Sequence, residues 1–185
     1  MHTAQGTVSH RPQATADKRS AAAGPVLVAS AVGTGLIAGI YFAFDVSVLP
    51  GLDRGDDRTY VTAMQNINAE IEKGLFGLVF VGAFLATGVA AYLQQCLGRR
   101  SAARWTWGAL ALYTTSVILT VGVNMPINNE LARAGSPETI ADLGAFRGKF
   151  KGVWTASNVA RTLACTAALA ALGRALTLHG RGAQA

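Results

Sequence analysis

The chain has 185 residues, of which 51% are hydrophobic and only 14% are charged. Soluble domains carry about 25% charged residues, so this composition argues against a soluble globule and predicts a membrane protein. The net charge of +6 then indicates basic residues beside the membrane, and the glycine-rich apolar blocks argue against a nucleic-acid-binding surface.

Four apolar blocks are long enough to cross a bilayer, because a helical span needs about 20 apolar residues. In chain order they cover residues 25–50, 75–97, 105–127 and 153–178. Each block is predicted to be a helix, since lipid offers no partners for an unpaired backbone. The expected fold is an all-α, four-helix transmembrane bundle over residues 24–178, between a disordered N-terminal tail (1–23) and a short C-terminal tail (179–185).

The charges of the connecting segments predict the orientation of this bundle. The link between the second and third spans carries Arg99, Arg100 and Arg104, whereas the loop after the first span is acidic. The positive-inside rule therefore favours both termini in the cytoplasm. The expected location is a plasma membrane of bacterial type.

Residues 56–73, between the first two spans, form a predicted amphipathic helix. Its apolar stripe recurs at helical spacing and consists of Tyr60, Met64, Ile67 and Ile71. Asn66 and Glu70 share another face. Two placements fit this pattern: a helix that rests on the lipid surface, or a lid that points Asn66 and Glu70 into the mouth of the bundle.

Costly polar residues gather at one membrane face. Connectivity places the end of the first span, the amphipathic helix, the end of the third span and the start of the fourth span there. The group comprises Asp45, Asn66, Glu70, Asn124, Asn128, Asn158 and Arg161, with Tyr41 and Trp154 on the same helical stripes. The opposite half of the bundle is predicted to be almost purely aliphatic.

Arg161 is the most informative member of this group. It lies about two turns inside the fourth span, where an ionisable side chain is costly and indicates function. We expect it to pair with a carboxylate, either Asp45 or Glu70. A structural salt bridge that holds the helices in register is the alternative to a ligand site.

Four segments, taken in order, resemble the anthrone-oxygenase-like family of small four-helix integral membrane proteins. They read GIYFAFDVSVLPGL, YVTAMQNINAEI, NMPINNEL and FRGKFKGVWTASNVART. The resemblance covers about residues 25–178 and implies oxidation of anthrones to anthraquinones in polyketide pathways, as associated with fungal members. Most bacterial members have no assigned activity. The recurrent positions of the family fall here on Tyr41, Pro50, Gln65, Asn66, Asn68, Asn124, Asn128, Asn129, Trp154, Asn158 and Arg161.

The sequence predicts neither a metal site nor a cofactor. His2, His10 and His179 all lie in the tails, and metal and haem sites draw on histidine, cysteine or clustered carboxylates. No glycine-rich dinucleotide-binding fingerprint follows a strand. We therefore expect any reaction at this site to proceed without a cofactor.

The residue types suit a cofactor-free oxygenase that acts on a lipophilic, enolisable, anthrone-like substrate. Glu70 or Asp45 would remove a C–H proton, and Arg161 would help to stabilise the oxyanion. The expected substrate-binding residues are Tyr41, Asn66, Asn68, Asn124, Asn128, Trp154 and Asn158. The alternative is a non-catalytic membrane protein whose polar cluster binds a lipid headgroup, a small solute or a partner helix.

The predicted orientation can be tested with a reporter fused after residue 185. An even number of spans places both termini on one side, and the basic link predicts that this side is the cytoplasm. A compartment-specific reporter should therefore be active only in the cytoplasm. Activity confined to the extracytoplasmic side would reverse the orientation.

Overall fold

The computed structural model describes residues 11–71 and 73–182, with the side chains of residues 18–71 and 73–181, and contains no strand there. Its α-helices are α1 (Arg11–Ala43), α2 (Leu49–Leu52), α3 (Asp57–Ile71), α4 (Leu75–Cys96), α5 (Arg100–Leu119), α6 (Met125–Arg133) and α7 (Leu143–Gly182). A π-helical turn, Phe44–Val48, joins α1 to α2, and a second, Thr120–Asn124, joins α5 to α6. A 3₁₀ turn, Pro137–Thr139, precedes α7. The predicted all-α fold is confirmed.

Four helical segments are long and apolar enough to cross a membrane. These spans are Lys18–Leu52, Leu75–Cys96, Arg100–Arg133 and Leu143–Arg181. Each contains one of the four predicted blocks or nearly all of it. The α7 helix has 40 residues and is about 60 Å long, twice the thickness of the hydrocarbon layer. Part of this helix must therefore stand outside the hydrocarbon layer.

The ends of the chain are more helical than predicted. The α1 helix begins at Arg11, inside the segment 1–23 that was expected to be disordered, and α7 continues through residues 179–182. A helix that already emerges from a bilayer extends at low cost, because only its nucleation is unfavourable. Residues 1–10 and 183–185 lie outside the described residues.

The four long helices pack in a ring. The α1 helix contacts α4 and α7, and α5 contacts the same two helices, so that α1 and α5 lie diagonally opposite. Near the chain termini the core is rich in alanine: Leu27, Ala90, Ala109, Ala168, Ala171, Leu172 and Ala175. Towards the other end it becomes aromatic, with Tyr41, Phe80 and Tyr113 packed around Ile37 and Cys165.

The closest glycine-mediated contact involves Gly33. A Cβ atom added there would lie 2.8 Å from the Cβ of Ala83 in α4. In the G-x-x-x-G pair of the first span, a Cβ at Gly35 would make an ordinary contact with Leu169, and one at Gly39 would meet nothing within 4 Å. Gly33 therefore sets the distance between α1 and α4.

The half of the bundle nearest the termini is less aliphatic than predicted. Hydroxyl side chains are buried along its interior: Ser30, Thr34, Thr87 and Thr106. Three of them donate to a carbonyl four residues earlier in their own helix, which satisfies the hydroxyl locally. Gln94 is also fully buried and hydrogen-bonds His179, which Arg99 contacts as well. The expectation of an almost purely aliphatic half was wrong.

Replacement of Gly33 by alanine should destabilise the bundle by about 1–3 kcal/mol, because it overpacks the contact with Ala83. Combining Gly33→Ala with Ala83→Gly moves the methyl group to the other helix and should recover most of the loss. The measurement is the melting temperature in detergent micelles. Gly39→Ala is the control and should melt like the unmodified protein. Equal melting temperatures for Gly33→Ala and Gly39→Ala would contradict the packing described here.

Candidate functional site

Two spans contain a five-residue π-helical turn, and both turns border the same end of the bundle. In each span a proline, Pro50 or Pro126, follows two residues after the turn. Proline donates no N–H and clashes with the carbonyl one turn earlier, so the helix widens before it. Such turns are frequent at functional sites. Here they contain Asp45 and Asn124, and both of these side chains bond to α7.

The α3 helix covers this end of the bundle. Its buried residues are Tyr60, Val61, Met64 and Asn68. The three apolar ones share a core with side chains of the neighbouring spans, including Phe44, Leu131 and Trp154, and Ile67 and Ile71 pack against it. The predicted apolar stripe is confirmed, and it faces protein. The α3 helix therefore covers the bundle as a lid and does not rest on lipid, but it differs from the expected lid because Asn66 and Glu70 do not point into the mouth.

Arg147 anchors the lid near its N-terminal end. Its guanidinium bonds the carboxylates of Asp53 and Asp57, each at 2.7 Å, and stacks on the ring of Tyr60. Lys151 also bonds Asp53, and Lys151 and then Arg147 hold the pKa of that carboxyl below its usual value. Burial raises the pKa of Tyr60 to about 12. At neutral pH, Asp53 is therefore ionised and Tyr60 is neutral, as this anchor requires.

The carboxamides of the lid point in different directions. Gln65 donates from Nε2 to the carbonyls of Leu131 (3.0 Å) and Gly135 (2.9 Å), which fastens the middle of α3 to the loop after α6. Asn68 is buried, whereas Asn66 is exposed. Two residues of an α-helix are about 200° apart around its axis, so Asn66 and Asn68 cannot face the same side. Only Asn68 reaches the interior.

Glu70 also lies on the outer side of the lid. Its side chain is 70% exposed and pairs with Lys73, three residues later. The offset of two residues from the buried Asn68 again explains this direction. The structure therefore does not bring Glu70 to the mouth of the bundle, where the sequence placed it.

A cavity of about 560 Å³ lies beneath the lid. This volume is typical of small-molecule sites. Its polar lining consists of Tyr41, Asn68, Thr120, Asn124, Asn128, Asn129, Trp154, Asn158 and Arg161. The remaining lining is apolar and includes Ile40, Phe44, Ile71, Phe76, Phe80, Val81, Val121 and Met125, together with Gly74 and Gly77. Seven of the ten predicted site residues line this cavity, whereas Asp45, Asn66 and Glu70 do not.

Asn158 is the centre of the polar network. Its Nδ2 donates to the carbonyl of Tyr41 (2.9 Å) and to Oδ1 of Asp45 (2.7 Å), while its Oδ1 accepts from Nη2 of Arg161 (2.8 Å). The hydroxyl of Thr162 donates to the other oxygen of Asp45. Because one side of the amide meets acceptors and the other meets a donor, only one orientation satisfies all of these bonds.

The expected ion pair of Arg161 with Asp45 or Glu70 is not formed. No carboxylate of the described residues lies within 4.0 Å of a nitrogen of Arg161. The amide of Asn158 bridges Arg161 and Asp45, and Glu70 faces outward. That expectation was wrong, because the carboxylate of Asp45 accepts hydrogen bonds from the amide of Asn158 and the hydroxyl of Thr162, both in α7, and not from the guanidinium.

Aromatic rings take the place of a carboxylate around Arg161. Its Cζ lies 4.2 Å from the ring centroid of Tyr41 and 5.6 Å from that of Trp154, both within cation–π range. Its Nη1 makes a long bond of 3.4 Å to the hydroxyl of Thr120. Arg161 as a whole is only 5% exposed, so its charge is held in a buried environment.

Several amide and hydroxyl groups of the lining residues remain free to bind. Ser157 donates to Oδ1 of Asn124 (2.7 Å), and Trp154 donates to Oδ1 of Asn128 (3.0 Å), which leaves both amide nitrogens to donate elsewhere. Among the lining residues, four buried atoms have no hydrogen-bond partner in the protein: Tyr41 Oη, Asn68 Nδ2, Asn124 Nδ2 and Arg161 Nε. Each unpaired buried group costs about 1–3 kcal/mol.

Sequence reasoning missed most of the apolar lining. Phe76 and Phe80 stack with their centroids 5.7 Å apart, and Thr120 and Phe44 complete the wall. The spacing of Phe76 and Phe80, four residues apart, was a signal that these rings share one face. An aromatic pair does not stand out within an apolar span, so the signal was weak.

Within residues 11–71 and 73–182, no three side chains of His, Cys, Asp or Glu lie close enough together to share a metal ion. Among the residues whose side chains the structure describes, the lining contains no carboxylate, imidazole or thiol. Its chemical groups are one guanidinium, one phenol, one indole, carboxamides and a threonine hydroxyl. Such a set can bind and stabilise an oxyanion beside an aromatic ring.

Comparison with known proteins found a match to a family. The model of a family described as anthrone oxygenase matches residues 64–171, which is more than half of the chain. This range contains the lid from Met64 onward, α4 to α6 and most of α7. No curated protein and no solved structure matches the chain.

The network around Asn158 predicts the effect of exchanging its amide with the carboxylate of Asp45. Asn158→Asp places two carboxylates together and removes two donated bonds, so it should cost about 3–5 kcal/mol. Adding Asp45→Asn restores one amide and one carboxylate and should recover most of that loss. The measurement is the temperature at which the detergent-solubilised protein loses its monodisperse chromatographic peak.

Asn66→Asp is the matched control, since it makes the same change on the exposed side of the lid. It should leave this temperature unchanged. A double variant no more stable than Asn158→Asp alone would show that Asp45 and Asn158 are not coupled.

Proposed function

The chain belongs to the anthrone oxygenase family, and from this and the cavity we propose that it oxidises a lipophilic, enolisable aromatic compound inside the membrane. The substrate is an anthrone-like molecule of the polyketide type, with a CH₂ group activated by a carbonyl. Molecular oxygen is the second substrate, and no cofactor takes part. The protein lies in a plasma membrane of bacterial type with both termini in the cytoplasm.

The buried guanidinium of Arg161 is the observation that carries this proposal. It lines the cavity, and no carboxylate of residues 18–71 and 73–181 contacts it, although an unneutralised charge in an apolar environment is costly. An anion in the cavity would complete the charge balance. The enolate of an anthrone is such an anion, and it forms only as the reaction begins, so Arg161 would stabilise the reacting state more than the neutral substrate.

The other groups of the cavity fit a flat ring system that carries oxygen. The rings of Phe76, Phe80 and Trp154 offer apolar surfaces for stacking. Asn68 and Asn124 line the cavity with amide nitrogens that have no partner in the protein, and rotation of these side chains would let them donate to substrate oxygens. The lid excludes water and thereby strengthens each of these electrostatic interactions.

We assign the proton transfer to Tyr41. Among the described cavity-lining residues, only Tyr41 and Arg161 carry titratable groups, and a guanidinium remains protonated. In its phenolate form, the Tyr41 hydroxyl would take the proton from the activated carbon while the nearby Arg161 cation compensates the negative charge. This role replaces the one considered for Glu70 and Asp45, because neither carboxylate lines the cavity.

The overall reaction balances with oxygen alone. The enolate carbon transfers electrons to O₂ and forms a C–O bond, and the resulting hydroperoxide loses water, so that its carbon becomes a carbonyl. One oxygen atom enters the product and the other leaves as water. The CH₂ group loses four electrons in total, which is the number that O₂ accepts.

A second function is favoured because the described residues of the cavity lining include no carboxylate and no histidine. In this case, the site binds an anion without turnover, and the occupant is the headgroup of an anionic membrane lipid. Arg161 and the free amides would bind its oxygens. Binding without oxygen consumption would distinguish this function from the oxygenase.

The proposed oxygenase activity can be measured with purified protein in lipid nanodiscs, aerobic buffer and an anthrone. Oxygen uptake and quinone absorbance should both exceed the rate in protein-free nanodiscs. Arg161→Gln should lower the catalysed rate about 10²–10³-fold, as loss of an oxyanion-stabilising donor does. Tyr41→Phe keeps the stacked ring and should lower the rate at unchanged melting temperature.

Arg104→Gln is the matched control, because Arg104 is exposed and lies in the link near the other end of the bundle. It should retain the full rate. A loss of turnover in Glu70→Gln with retention in Tyr41→Phe would return the proton-accepting role to the carboxylate. Tight anthrone binding with no oxygen uptake above background would overturn the oxygenase proposal.

A further inference from the structure

The cavity is lined in part by side chains that face outward from the bundle. Val81 of α4 is 53% exposed, and Val121 and Met125 of the third span are 57% and 50% exposed. All three lie in segments apolar enough to cross a membrane. Exposed apolar side chains of spanning helices face hydrocarbon, so the cavity borders the lipid between α4 and the third span.

Glycines keep the α4 side of this border open. Gly77 and Val81 are four residues apart in α4, so they lie on one face of the helix, and Gly74 is the residue that directly precedes this helix. All three line the cavity. A Cβ atom at Gly77 would meet nothing within 4 Å, which shows that the space beside this residue is empty.

The aqueous side of the cavity is closed by comparison. The apolar stripe of α3 is buried in the core below it. Gln65 fastens the lid in its middle, and Arg147 fastens it near its N-terminal end. Arg58 of the lid also pairs with Glu138 in the 3₁₀ turn that precedes α7. Moving the lid away from the cavity would require these contacts to break.

We propose that the substrate enters from the hydrocarbon layer through a lateral opening formed by Gly77, Val81, Val121 and Met125. Gly77 is the specificity-determining residue, since its missing side chain sets the width of ring system that can pass. This inference rests on the proposed function for the identity of the ligand. The ligand class is a flat, uncharged, fused-ring aromatic compound that partitions into lipid and carries oxygen acceptors.

The opening itself can be tested without any substrate. Trp154 lines the cavity, and replacing Trp105 and Trp107 by phenylalanine leaves it as the only tryptophan. In nanodiscs whose lipids carry bromine near the headgroup end of the acyl chain, Trp154 fluorescence should be quenched. Gly77→Leu should remove at least half of this quenching, because the added side chain fills the opening.

Gly82→Leu is the matched control. It lies on the same helix, a Cβ atom there also meets nothing within 4 Å, and it does not line the cavity. It should leave the quenching unchanged. Equal quenching in Gly77→Leu and Gly82→Leu would overturn the proposal of a lateral opening. Quenching of Trp154 by aqueous iodide but not by brominated lipid would overturn it as well.

The role of Gly77 in selection is tested with the anthrone assay. Gly77→Leu should lower kcat/KM for the anthrone at least 10-fold, whereas Gly82→Leu should leave kcat/KM unchanged. The kcat/KM of Gly77→Ala should lie between the values of these two variants. If Gly77→Leu oxidises anthrone as fast as Gly82→Leu, the opening is refuted and the oxygenase remains. If the unmodified protein neither binds nor oxidises anthrone, the proposed function fails, and the quenching experiment alone decides whether the opening exists.

Discussion

A carboxylate and a guanidinium are joined through one amide inside this bundle, and the properties of the site depend on that arrangement. Asn158 gives its N–H groups to Asp45 and to the backbone of Tyr41, and it gives its oxygen to Arg161. A direct ion pair would neutralise the cation. With the amide between them, the carboxylate is satisfied while Arg161 keeps donors and charge that a ligand can use. The stacked rings of Tyr41 and Trp154 hold the guanidinium in place without consuming its hydrogen-bonding capacity.

The packing of the bundle explains why the site lies at one end. Near the termini, the helices meet through alanines, so they approach closely and leave little space. At the other end, aromatic side chains and two π-helical turns hold the helices further apart. Proline drives both turns, because it removes one backbone hydrogen bond in each span. The same distortion that widens the bundle also directs Asp45 and Asn124 towards α7.

The cavity has two different boundaries, one towards water, formed by the lid, and one towards the lipid of the membrane. Towards water, α3 is buried on its apolar side and anchored by Arg147, whose carboxylate partners lie outside the spans. Towards lipid, only side chains and the bare backbone at Gly77 separate the cavity from hydrocarbon. A site with these two boundaries holds the charge of Arg161 in an environment of low dielectric constant, where electrostatic interactions are strong. It also suits a ligand that dissolves better in lipid than in water.

The sequence alone determined the four spans, the apolar stripe of the lid and the membrane face at which the polar residues meet. Span length, helical period and connectivity are local or topological properties, so they can be read without knowing how the helices pack. The tertiary structure decided which polar side chains face inward. Asn68 lines the cavity whereas Glu70 does not, because a rotation of about 200° around the helix axis separates the two side chains. Which of the two faces the cavity is set by the packing of α3 against the bundle. The bridge from Asp45 to Arg161 likewise depended on packing. The sequence offered Asp45 and Glu70 as partners of the guanidinium, and only the packed orientation of Asn158 shows that an amide lies between Arg161 and Asp45.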